Sequence, residues 1–177
     1  MKTLLVFILL FGILSCSEKE EIKKEEKPTI ETTSLSPEEF QNTVATKVNE
    51  AHNLIQLLQQ LDEQDASPET IVSEASKHLG TLETLLNDLN NLIPSGELGN
   101  ELKELSTQYL ASKKAIITVY IDFAPQLSIE SEWSDEDYAL WTSNAEPFFG
   151  VSDQIFAELS ELQTQFLIKN NISQPAL

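Results

Sequence analysis

The side chains able to carry metal or nucleophilic chemistry are few: two histidines, His52 and His78, and one cysteine, Cys16, set among 29 acids and 11 bases. A lone cysteine forms no internal disulfide and no multi-cysteine zinc or iron–sulfur site. Di-iron carboxylate bundles need Glu-x-x-His, which puts both ligands one turn apart on an inward face. Glu50-Ala51-His52 is too short for that spacing and Glu74 to His78 is too long. No Cys-x-x-Cys-His occurs, which excludes covalent haem, and the single methionine, Met1, removes a His/Met haem pair. An antiparallel hairpin would bring the two histidines to similar heights. They read either as contributors to a metal or non-covalent haem site, or as two boundary histidines with ordinary hydrogen bonds. No serine is placed beside a histidine by a hydrolase motif, and the Asp-x-Asp-x-Asp-Gly spacing of a calcium loop is absent. The expectation is a protein that is not an enzyme and has no metal site.

Charge narrows the partners. The formal net charge is −18 over 177 residues, and every base is a lysine. Nucleic-acid binding wants a basic face and arginine forks, and anionic lipid repels such a chain. Five glycines leave little for phosphate-cradling loops.

Cys16 has a different chemistry available. Lys2 is followed by Leu4 to Leu14, apolar apart from Gly12, and then Ser15-Cys16. As a helix that apolar run rises only about 16 Å, too short for a membrane core of roughly 30 Å but suited to a signal peptide. Ile13-Leu14-Ser15-Cys16 resembles a bacterial lipobox. The resemblance implies cleavage before Cys16, diacylglycerol on its sulfur and an acyl chain on the new amine; two or three chains anchor stably where one does not. Residues 1–15 are then a lipoprotein signal peptide. Residues 16–35 are the lipidated cysteine and a flexible charged tether, too poor in apolar groups to offset its ordering entropy. The expected location is the cell envelope, lipid-anchored at the outer membrane. The charged residues after Cys16 also resemble surface-export signals of some Bacteroidota lipoproteins, so periplasmic and surface display both stand.

From Ser36 the apolar spacing is helical, and residues 36–177 form the expected folded domain. Ser36-Pro37-Glu38-Glu39 and Ser67-Pro68-Glu69-Thr70 are start signals. Apolar steps of three and four follow over Phe40–Leu61, Ile71–Ile93, Leu98–Phe123 and Tyr138–Phe166. The β-branched run Ile116-Ile117-Thr118-Val119 lowers helix propensity, but a lone strand would have no partner, so helix is expected. Short connections between long amphipathic helices predict an all-α, antiparallel up-down-up-down four-helix bundle. Pro147 predicts a last helix kinked or broken near that residue.

Aromatic residues gather at one expected end of the bundle: Tyr120 and Phe123 close the third helix, and Trp133, Tyr138 and Trp141 open the fourth. Apolar rings with polar tips suit contact with a ligand or partner. The tether joins the first helix at the opposite end, so this end is expected to face away from the membrane. The patterns over Leu79–Ser95, Leu98–Phe123 and Asp135–Asn171 resemble surface-type helical lipoproteins first described in Leptospira and found also in Bacteroidota. That family carries no assigned activity to transfer. The expected function is a membrane-anchored, non-enzymatic interaction module with an envelope protein as partner. The alternative is a carrier of a small apolar or haem-like ligand between the helices. No cofactor is expected besides the covalent lipid.

Overall fold

The computed structural model describes residues 34–64, 66–123 and 135–173; Cys16, the tether and Trp133 lie outside the described residues. Four helices occur, α1 (Pro37–Glu63), α2 (Pro68–Asn91), α3 (Gly99–Phe123) and α4 (Asp135–Lys169), and no strand among the described residues.

The helix starts follow from capping chemistry. At α1 the Ser36 hydroxyl accepts from Glu39 N–H at 3.2 Å, and Glu39 Oε2 accepts from Ser36 N–H at 2.9 Å. This reciprocal pair satisfies two of the orphan donors of a helix N-terminus. At α2 the Ser67 hydroxyl accepts from Thr70 N–H at 3.3 Å, and Pro68 supplies a helix-compatible φ without needing a partner for its nitrogen. α3 begins at Gly99, just after Leu98, where the apolar spacing opens. Gly96 and Leu98 take left-handed φ values of 80° and 66°, and these hold the chain out of helix until Gly99.

One side chain fastens that connection. Asn170, just past α4, accepts from Glu97 N–H at 3.0 Å and donates to Glu97 C=O at 3.0 Å and to Phe166 C=O at 2.9 Å. Lys169 adds an ion pair to Glu97 at 3.1 Å. α4 itself ends in a Schellman arrangement: Asn171 is left-handed with φ 54°, and Ile172 N–H returns to Leu167 C=O at 2.9 Å.

The four helices pack as a bundle around a shared apolar core drawn from all of them. α3 packs against α1, α2 and α4, and α1 also packs against α2. Three neighbours give α3 a wide buried arc. Besides the expected Leu102, Tyr109, Ile116, Tyr120 and Phe123, it buries Leu110, Ile117, Ser106 and Lys113. The β-branched run is helical throughout, because burial of both isoleucines outweighs a propensity deficit of a few tenths of a kcal/mol per residue. Pairs across the helices fix their registers. Lys114 meets Glu83 at 2.8 Å, while Lys103 meets the carbonyls of Asn90 and Leu92. Ser112 meets Ser152, and the Phe40 ring packs tilted against Phe166 with centroids 5.9 Å apart.

α4 runs as one helix through Pro147, so of the two expected outcomes, kink or break, the break does not occur. Its apolar stripe is also not all inward. Ala145, Leu159 and Phe166 are buried, but Phe148 and Phe156 are exposed. α4 has only α3 as an extended neighbour, so part of its apolar surface is left uncovered.

Candidate functional site

Of the five aromatic residues singled out, Tyr120 and Phe123 are both buried on α3. Tyr138 and Trp141 fall within α4, but their side chains lie outside the described residues, as does all of Trp133. The structure therefore places two of the five, and one of them, Phe123, forms a wall of a surface groove.

That groove has a volume of about 620 Å³ and runs between α3 and α4. Ala111, Ala115, Thr118 and Val119 supply the α3 side, while Asn144 and Phe148 supply the α4 side. Ala111 and Ala115 stand one turn apart, so among the described residues the α3 side of the groove is low there. Phe148 keeps 42% of its surface exposed, and Leu140 and Val151, at helical spacing from it, keep 46% and 54%. Lys114 lies on the lip with its ammonium held by Glu83. Such a site offers mainly apolar contact, with the Thr118 hydroxyl and the Asp122 carboxylate as polar groups in its lining.

A second constellation is polar and sits inside the bundle. Tyr109 of α3 is fully buried, and its hydroxyl meets His52 Nδ1 of α1 at 3.0 Å. The Gln56 amide nitrogen faces His52 Nε2 at 3.1 Å, which puts the imidazole proton on Nδ1, donating to the tyrosine oxygen. Phe156 of α4 stacks on His52 at 5.8 Å and tilts against Tyr109 at 5.3 Å. Lys113 is only 4% exposed, and its ammonium lies 4.8 Å from the centre of the Tyr109 ring.

The electrostatics of this seam follow from burial. Burial holds His52 below its ordinary pKa, with the Lys113 charge adding to the effect and Asp153 opposing it. Burial, reinforced by Asp153, pushes the Tyr109 phenol up, and burial pulls Lys113 down against the attraction of Asp153. A neutral imidazole and a protonated phenol are thereby favoured, in an arrangement that joins three helices. His78 is half-buried on α2, also held low by burial, with Glu74 and Lys77 of its own helix as charged neighbours. Among the described residues no grouping of three or more His, Cys, Asp or Glu side chains is placed to hold a metal ion. No helix among them is long and apolar enough to cross a membrane.

The lysines of the folded domain are all committed internally. Lys47, Lys77, Lys114 and Lys169 pair with Asp88, Glu74, Glu83 and Glu97. Lys103 caps the carbonyl end of α2, and Lys113 is buried over Tyr109.

Sequence reasoning missed Lys113, Asp153 and the outward flank of α4. The signal for Lys113 was available, since it stands four residues after Tyr109 within an apolar arc. The signal for Phe148 was not, because periodicity reports that a residue is apolar and not whether a neighbour covers it. The chain matches no protein-family model, no curated protein and no solved structure.

Proposed function

We propose that this chain is a lipid-anchored lipoprotein of the bacterial cell envelope whose helical domain is a non-enzymatic interaction module. Cys16 carries the lipid, residues 17–35 are the tether, and an envelope protein is the partner. The observation that carries the reading is the open apolar groove between α3 and α4, continued by the exposed Leu140, Phe148 and Val151. Scattered exposed apolar residues need no explanation, but an apolar groove with aligned apolar residues at its edge marks a contact site. The finer architecture belongs to the same proposal: an up-down-up-down bundle with a bend in α4 at Pro147. Antiparallel order is supported by opposed residue pairs, 103 with 90–92 and 114 with 83 between α3 and α2, and 112 with 152 and 109 with 156 between α3 and α4. The bend is supported by the donor missing at Pro147 and the clash of its ring with the Ser143 carbonyl.

The groove's volume favours one second reading, a carrier of a small apolar molecule, because about 620 Å³ falls in the size range of ligand pockets. Neither histidine lines this groove, so a haem-like guest there would lack an imidazole ligand.

Native mass spectrometry of the full chain, purified in mild detergent, separates the readings. The interaction module predicts a protein that co-purifies with the chain and is lost in a Phe148→Glu variant. A stoichiometric small-molecule mass identifies the carrier and overturns the module. Fatty-acid labelling tests the anchor: Cys16→Ser abolishes it if the lipobox reading is right, and unchanged labelling refutes that reading.

A further inference from the structure

We infer that the groove between α3 and α4 receives a cationic amphipathic helix of the partner protein. The inference rests on the interaction-module reading and adds the chemistry of what is bound. The flank of α4 supplies the apolar contact. Leu140, Phe148 and Val151 lie along one side of the helix beside the alanine-floored groove, and the line from Leu140 to Val151 rises about 16 Å. That is about three turns, more than the roughly two turns spanned by anchors at i, i+3 or i+4, and i+7 in a helix laid into a groove.

The charged half comes from what flanks this line. Glu136 stands one turn before Leu140 and Glu158 two turns after Val151, so an acid closes each end. Both are exposed and neither belongs to an ion pair among the described residues. Over residues 36–177 there are 23 acids and six lysines, and all six lysines are engaged within the domain. The surface thus offers acids in excess, and Lys114 at the groove's lip is already paired with Glu83. A second copy of the chain would bring the same charge against itself, and so would an anionic membrane. A helix with an apolar edge and lysine or arginine on its flanks satisfies both halves at once.

The test uses the full chain in zwitterionic nanodiscs, with empty discs as the blank. The probe is a dye-labelled helix of about 18 residues with leucine at i, i+3, i+4 and i+7 and lysine elsewhere, compared with the same helix carrying glutamate for lysine. The lysine helix is expected to bind, more weakly as salt rises, and the glutamate helix not to bind. Phe148→Glu and Val151→Glu are each expected to weaken binding by about tenfold or more, the effect of removing an interface anchor. Both side chains are substantially exposed, so the variants should keep the wild-type helical spectrum, which circular dichroism checks. The sign is decisive because each variant adds a negative charge. Tighter binding by the variants would show plain charge attraction and overturn the inference, as would equal binding of the two helices or no binding at all. Self-association of the chain that these variants abolish would also overturn it, in favour of a second copy. Failure here, with co-purification of a protein still lost in Phe148→Glu, removes only the cationic helix and leaves the interaction module standing.

Discussion

Replacing Gly96 by alanine tests how the connection between α2 and α3 is held to the end of α4. A Cβ at Gly96 would stand 2.4 Å from Asn170 Oδ1 and 3.0 Å from Pro37 Cβ, on a backbone with φ of 80°. Two costs follow. An alanine in the left-handed region costs about 1–2 kcal/mol. Displacing the Asn170 amide forfeits its two bonds to Glu97, each worth about 0.5–1.5 kcal/mol net. Gly96→Ala should therefore destabilise the protein by about 2–5 kcal/mol, summing the backbone and hydrogen-bond costs. Urea denaturation followed by circular dichroism measures this, and the partition comes from a double-mutant cycle with Asn170→Ala. In the Asn170→Ala background the clashing atom is gone, so the same glycine substitution should cost only the backbone part, about 1–2 kcal/mol, with Pro37 present in both. A loss below 1 kcal/mol in the wild-type background, or equal losses in both backgrounds, would refute the clamp.

Other consequences are open to similar measurement. Ser36→Ala should cost about 1 kcal/mol by urea titration, because it removes the hydroxyl half of the reciprocal cap with Glu39. Lys113→Met should leave thermal stability unchanged or raise it at neutral pH, since it removes a buried cation with no carboxylate in ion-pair range among the described residues; a clear drop in Tm would show that the Tyr109 face and Asp153 more than offset burial. His52 and His78 are both held below their ordinary pKa by burial, so the unfolded chain takes up protons that the folded chain resists. Their contribution to stability is thus present above about pH 6.5 and is lost as pH falls through the lower folded-state values. Urea midpoints should fall on acidification through this window, and less so in a His52→Gln, His78→Gln variant.

How much of this architecture could be read from the residues depends on what each signal encodes. Ser36 and Ser67 announce α1 and α2 because capping is local chemistry, complete within four residues. The exact start of α3 was less legible, because the left-handed turn at Gly96 and Leu98 is held by Asn170, distant in sequence. Apolar spacing identified the four helices and missed Leu110, Ile117 and Lys113 as buried, since one stripe cannot report that α3 has three neighbours. In α4 the same spacing counted Phe148 as inward, and it is exposed where α4 lacks cover, whereas Phe156 packs on His52 and Tyr109 with part of its ring still exposed. The candidate site was legible in part: the aromatic end of α3 was visible through Tyr120 and Phe123. The groove beside Phe123 depends on Ala111 and Ala115 meeting α4, a long-range fact that no local pattern carries.

The central claim joins an anchor to a contact surface, and site-specific photo-crosslinking in living cells tests both together. A photoreactive amino acid at Val151, which is 54% exposed beside the groove, should capture a specific envelope protein in the full chain. The adduct should disappear with Cys16→Ser, which releases the domain from the bilayer. An unreactive Val151 position, or an adduct indifferent to loss of Cys16, would contradict the account.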